Sequence, residues 1–223
     1  GRIRLLRGAD PAKDQSYMLH MLGQAQLARA RFPVGGLRKS ETRALAERFG
    51  LPVAGKPDSQ ELCFAPSGDA GAFLRQVAPE LLREGEIVDP EGRVLGRHRG
   101  AAAFTVGQRR GLGISGRRPM YVLEVDPAAA RVVVGPGELL ARRGLVADRV
   151  SWVAGEPPSE GPFEAEVRIR YRSEDVPAVV QAEGERMRVE FGSPQRGVAP
   201  GQSVVVYRGE ELLGGGRILQ ALR

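Results

Sequence analysis

Cysteine is almost absent: Cys63 is the only one in 223 residues, so no intrachain disulfide can form and no zinc site can be built from cysteines. That usage fits a reducing, cytoplasmic setting. Lysine is nearly as rare, with Lys13, Lys39 and Lys56 set against 30 arginines. Histidine is limited to His20 and His98, which lie in different segments without companions at ligand spacing, so no metal site is expected. The twelve aromatic residues are few for a protein that holds single strands by base stacking alone. No stretch reaches the roughly 18 consecutive apolar residues of a membrane helix. The first residues, Gly1-Arg2-Ile3-Arg4, are too charged for a secretory signal, and no membrane partner is expected. The chain opens on Gly rather than Met, so a longer parent protein is expected.

What is present is ordinary globular material, 42% hydrophobic and 27% charged, with a formal net charge of +6. Arginine excess has two readings. It reflects coding composition, or it supplies planar guanidinium forks for phosphate. Hydrophobic spacing predicts a helix from about Ser16 to Arg31, ended by Phe32-Pro33-Val34-Gly35-Gly36. A second helix is expected after Ser40 as its cap, and a third near Asp69 to Ala78. Beyond Gly85 the period changes. Ile87-Val88 and Val94-Leu95 flank the turn Asp89-Pro90-Glu91-Gly92, and Met120–Val125 faces Arg131–Val134 as a second hairpin. From Leu145 onward the pattern is all β, with strands at Phe163–Tyr171, Val176–Gln181, Met187–Phe191, Ser203–Tyr207 and Gly216–Leu219. The expected class is α+β: a helical start, a small mixed central region with β-hairpins and a C-terminal all-β barrel. The expected boundaries are 1–65, 66–143 and 144–223.

Cys63 is the one soft nucleophile, able to act as a thiolate or as a persulfide carrying transferable sulfur, and equally able to be a buried apolar residue. Gly107-Gln108-Arg109-Arg110-Gly111-Leu112-Gly113 lacks the Gly-Lys-Ser/Thr ending of a nucleotide loop. It reads as a loop that brings backbone close to a partner, with Arg109 and Arg110 as candidate phosphate contacts, or as a solvated basic turn. Arg168, Arg170 and Arg172 are expected on one strand face. The acidic Glu164 and Glu166 give way there to a basic end beside Tyr171, suited to RNA backbone and stacking.

Six ordered motifs carry a resemblance. They are Lys13-Asp14-Gln15-Ser16-Tyr17, Lys56-Pro57-Asp58-Ser59-Gln60-Glu61-Leu62-Cys63-Phe64, Thr105–Ile114, Arg170-Tyr171-Arg172, Pro200-Gly201-Gln202 and Leu213-Gly214-Gly215-Gly216. Together they resemble the tRNA-specific 2-thiouridylases (the MnmA/TrmU family) over essentially the whole chain. The resemblance implies transfer of sulfur from a cysteine persulfide to C2 of the wobble uridine in tRNAs for Lys, Glu and Gln, after activation of the uracil oxygen by ATP with Mg2+. It implies that Cys63 carries the persulfide, received from a sulfur-donor protein. It further implies that Lys13, Asp14, Gln15, Arg170, Tyr171 and Gln202 contact tRNA. The family's Ser-Gly-Gly-x-Asp-Ser loop and its second cysteine do not occur. The chain is therefore expected to be the C-terminal portion of such an enzyme, to bind no ATP on its own and to be inactive alone. A non-catalytic tRNA-binding module and a sulfur-relay protein are the rival expectations.

Overall fold

The computed structural model describes residues 1–57, 76–79, 82–114, 118–171 and 173–223. The third expected helix lies largely outside these residues, and Cys63 and Arg172 lie outside them altogether. The chain forms two compact units. One joins Gly1–Pro57 to Arg142–Pro194 and Pro200–Arg223, and the other joins Asp58–Ala141 to Gln195–Ala199.

The first unit is built on a closed barrel. Its strands are β6 (Arg142–Trp152), β7 (Phe163–Arg168), β8 (Val176–Glu183), β9 (Arg186–Gln195), β10 (Ser203–Arg208) and β11 (Glu211–Leu222). They run in the order β11-β10-β7-β8-β9-β6, and β6 returns to β11 to close the ring. A two-residue strand, β1 (Leu5–Leu6), pairs with the start of β11 at Leu5 and Leu212. Alternation sets the inner face: Met187, Val189 and Phe191 of β9 are buried while Arg188 and Glu190 between them are exposed. On β10 the alternation vanishes, because Val204, Val205, Val206 and Tyr207 are all buried. Val205 and Tyr207 cluster with Leu5, Tyr17, Leu27 and Leu212, so the N-terminal segment covers the outer face of this strand.

That cover explains why the first helix is not one helix. Instead of a continuous run from Ser16 to Arg31, a 3-10 turn at Ser16–Leu19 is followed by α1 (Gln24–Leu27). Gly23 between them is extended, and its N–H donates to Gln26 Oε1 at 3.1 Å. Gln24 ties α1 to its surroundings, accepting from Ile3 N–H at 2.9 Å and donating to the Ile3 and Val153 carbonyls. Tertiary packing of Tyr17 and Leu27 against the barrel has overridden local helical spacing. Helix α2 (Lys39–Arg48) starts ahead of the expected Ser40 cap. Asp10 Oδ2 accepts the Lys39 N–H at 3.0 Å and Glu41 reaches back to the Arg38 N–H at 2.6 Å, so remote and reciprocal partners satisfy its first turn.

The second unit is an open, mixed four-stranded sheet, ordered β3-β2-β5-β4. Here β2 is Gly85–Val88, β3 Val94–His98, β4 Tyr121–Asp126 and β5 Arg131–Gly135. β2 and β5 are parallel and the other neighbours antiparallel. Its core joins Ile87, Val122, Val132 and Val134 to Ala101 and Leu112. Gly85 is required by close approach: a Cβ there would sit 1.6 Å from the Ala130 carbonyl oxygen. His98 donates from Nε2 to that same carbonyl at 3.1 Å, because its Nδ1 accepts the Gly100 N–H at 3.0 Å.

Within the region expected to be all β from Leu145 onward, β6 is the barrel strand for which no separate bounds are expected. Its pairing with β11 skips from Ser151 opposite Gly215 to Asp148 opposite Arg217, and Arg149 sits at φ +51. This bulge breaks the two-residue period from which a strand would be read.

Candidate nucleic-acid interface

The outer face of β7 and β10 meets the N-terminal segment through charge as well as through apolar packing. Arg168 stands opposite Val205 and shares its face, so its side chain turns toward the N-terminal cover rather than toward water. It is only 15% exposed. Its Nε and Nη2 donate to the two carboxylate oxygens of Asp175 at 2.9 and 3.2 Å, and its Nη1 lies 3.6 Å from Asp14 Oδ2. Arg7 completes the set, with Nη2 at 2.9 Å from Asp175 and its guanidinium 3.6 Å from the centre of the Tyr207 ring. Burial works against the Arg168 charge, but the bond and charge of Asp175, aided by Tyr207 and Asp14, hold the guanidinium above its usual range.

Asp14 is the other pole of this network. Its side chain is 4% exposed, and Oδ1 accepts from the N–H groups of both Gly8 and Ser16 at 2.9 and 3.0 Å. Oδ2 accepts the Ser16 hydroxyl at 2.9 Å. With its one proton so used, Ser16 Oγ accepts from the Tyr207 hydroxyl 3.1 Å away. Burial raises the Tyr207 phenol and, with Tyr207 beside it, pushes the Tyr17 phenol up to about 12, so both remain neutral donors. Among the described residues no buried side-chain polar atom lacks a partner.

Asp14 is thus turned inward, while its neighbours Lys13 and Gln15 are exposed. Arg168 and Arg170 do not share one wet strand face as expected, and Arg172 lies outside the described residues. β7 ends at Arg168, Arg168 is paired inside, and Arg170 is exposed in the bend that follows. Ser173 anchors that bend, donating its N–H and its hydroxyl to the Arg170 carbonyl at 3.1 and 2.9 Å. Tyr171, 40% exposed, places its ring 6.2 Å from that of Tyr17 at 45°. Tyr17 also donates its hydroxyl to the Ser203 carbonyl at 2.7 Å. Next to Ser203, the exposed Gln202 is fixed by its backbone, where Gly201 N–H and Gln202 C=O bond to Ile218 at 2.8 and 2.7 Å. Tyr17 therefore gathers segments around residues 13–17, 170–171 and 202–203 at one place on the barrel unit. Sequence reasoning gave no role to Tyr17, Ser16, Asp175, Arg7 or Tyr207. The unbroken apolar run ending at Tyr207 was the one available sign of a strand covered on both sides.

Arg109 and Arg110 belong to the other unit and are exposed. Their loop is held from within: Gln108 accepts the Thr105 N–H on its side-chain oxygen and donates from Nε2 to the Arg110 carbonyl, at 3.0 and 2.9 Å. Leu112 is buried in the sheet core, and Gly107, Gly111 and Gly113 all have positive φ. The loop leads to β4 rather than to a helix, so it offers no helix N-terminus to a pyrophosphate, and these residues do not fit an ATP cradle. Among the described residues no group of three His, Cys, Asp or Glu side chains could hold a metal. No described helix is long and apolar enough to cross a membrane.

Three family descriptions match the chain in succession: a tRNA methyl transferase HUP domain over residues 1–67, a tRNA methyl transferase PRC-barrel domain over 71–136 and an aminomethyltransferase beta-barrel domain over 142–218. The chain is 51% identical over 216 residues to the tRNA-specific 2-thiouridylase MnmA of Roseiflexus castenholzii, covering 96% of this chain and 58% of that protein. It is 50% identical over 223 residues to the protein of the same name from Geobacter metallireducens, covering 100% of this chain and 60% of that protein. The chain belongs to the tRNA-specific 2-thiouridylase family. It spans about three fifths of the length of these relatives. Membership of the 2-thiouridylase family is consistent with the order of the six motifs, and the matched barrel domain contains Arg168, Arg170, Tyr171 and Gln202.

Proposed function

We propose that this chain docks tRNA in a wobble-uridine 2-thiolation enzyme, with the barrel unit as its principal contact surface. The observation that carries the reading is that Tyr17 meets the Tyr171 ring and the Ser203 carbonyl, which joins three segments far apart in sequence, those holding Lys13 and Gln15, Arg170 and Tyr171, and Gln202. Lys13 and Arg170 supply charge for phosphate, Tyr171 an exposed ring for a base, and Gln202 an amide able to donate and accept. Asp14 acts from below, holding the loop that carries Lys13 and Gln15. Arg109, Arg110 and Arg172 are additional phosphate contacts in this reading.

Cys63 carries sulfur as a persulfide received from a donor protein. In the full-length enzyme its outer sulfur bonds to C2 of the adenylated uridine in tRNAs of the Lys, Glu and Gln group, and AMP leaves with the uracil oxygen. A second thiol outside this chain breaks the S–S bond by forming a disulfide with Cys63. Such a thiol suits the reducing cytoplasm. ATP with Mg2+ serves the full-length enzyme rather than this chain alone. The test is binding of the 223-residue chain to a tRNA of that group, with an unrelated tRNA as control, across a range of salt. Binding should favour the first tRNA and weaken with salt, and Arg170→Ala should lower the log–log salt slope by about one. Absence of binding by a chain shown to be folded would overturn the reading.

A further inference from the structure

We infer that Arg168 is a positioning residue for tRNA, one guanidinium that fixes the spacing between the Lys13–Gln15 loop and the Arg170–Tyr171 turn. The inference rests on the docking reading above. It goes beyond it by assigning the recognition geometry to a side chain that never meets the nucleic acid.

Asp14 Oδ1 takes the N–H groups of Gly8 and Ser16, so that one carboxylate closes the segment between residues 8 and 16. Asp175 receives Arg168 through two bonds and thereby closes the segment from 168 to 175 at its base. Each loop places its candidate contacts outside the closure: Lys13 and Gln15 flank Asp14, while Arg170 and Tyr171 lie between Arg168 and Asp175. Arg168 is the side chain shared by the two closures, through its fork to Asp175 and its Nη1 near Asp14. The guanidinium is planar, so holding one carboxylate along the Nε–Nη2 edge fixes where Nη1 points. Lysine would keep the charge and lose that geometry.

The arrangement is also close to electrically neutral within. Arg7 and Arg168 balance Asp14 and Asp175, so the cluster that joins the two loops carries little net charge of its own. A surface that must match phosphates at set separations needs its cations held to a fixed spacing, and an exposed pair of mobile loops would not provide it.

The experiment measures tRNA affinity against salt for the wild-type chain, Arg168→Lys, Lys13→Ala, and the double variant. Unfolding followed by Trp152 fluorescence establishes that each is folded under the assay conditions. Arg168→Lys should weaken binding about tenfold and reduce the salt slope by about one to two, as phosphate contacts fall out of register. Combined with Lys13→Ala it should weaken binding by less than the product of the two single effects, because the lysine is already misplaced. Unchanged affinity and slope in Arg168→Lys, or single effects that simply multiply, would overturn the inference. If Arg168→Lys does not fold, Asp175→Asn, which removes one charge from the same fork, is judged by the same slope and the same coupling to Lys13→Ala. Failure of the wild-type chain to bind at any salt would instead overturn the docking reading on which the inference stands.

Discussion

The two units present arginines to solvent by opposite means. In the barrel unit the exposed Arg170 follows Arg168, which interlocks with Arg7, Asp14 and Asp175 in a largely enclosed set of charges. In the central unit Arg109 and Arg110 sit on a loop held by the Gln108 amide and by Leu112 inserted in an apolar core. A closed barrel covered on one face can enclose ion pairs, because backbone and side-chain partners surround them on several sides. An open four-stranded sheet of this size holds its loop with apolar contact and backbone bonds instead. The lesson is that similar surface chemistry can rest on foundations with different sensitivities.

Removing one partner from the buried charge should have the largest effect. Asp14→Ala leaves two N–H groups and a hydroxyl without their acceptor and removes one of the two carboxylates beside Arg168, and should cost about 3–5 kcal/mol. Trp152, the only tryptophan and a residue of the barrel unit, packs edge-on against Phe163, so denaturant unfolding followed by its fluorescence reads this loss. A midpoint like that of wild type would mean the network contributes little. Leu112→Ala is the matching break in the central unit. It should cost about 2–4 kcal/mol through the cavity it leaves, and would be read as faster amide exchange in β4 and β5. Unaltered exchange there would show that Leu112 does not brace the loop.

The smallest effect is a pH response common to both units. His20 and His98 are buried, and burial holds each imidazole below the ordinary 6.5, against a carbonyl partner that pulls the other way. The unfolded chain therefore takes up protons first. Stability is complete above about pH 6.5 and declines as pH falls from there toward the folded-state values. His20→Gln should flatten the decline seen by Trp152 fluorescence, and His98→Gln that seen by exchange in the central sheet. A decline that survives both substitutions belongs to the carboxylates.

Much of the architecture was legible from the residues. The two hairpins of the central sheet and five of the six barrel strands are legible as apolar runs between turn residues, with alternation in β7, β8 and β9 and an unbroken apolar run in β10. The sixth, β6, was hidden by its own bulge at Arg149. The long helix expected from Ser16 to Arg31 failed for a different reason: Tyr17, His20 and Leu27 are buried from two short turns separated by Gly23, an arrangement dictated by the barrel surface. At the candidate interface, the motifs around Lys13, Arg170 and Gln202 could be picked out singly. Their convergence on Tyr17 could not, since spacing along a chain says nothing of approach across strands. Arg168 shows the limit most clearly. Its place in an alternating strand marked it as outward-facing, but another segment of chain lies on that outward face.

The sequence alone determined the class of fold, the family, the scarcity of thiols and the identity of the charged residues, because periodicity, motif order and composition are local properties that do not depend on what packs where. Only the tertiary structure decided which of those charges are buried partners and which face solvent. That depends on the N-terminal segment covering β7 and β10, where burial and hydrogen-bond geometry make Asp14 and Arg168 internal and leave Lys13, Gln15, Arg170 and Tyr171 outside.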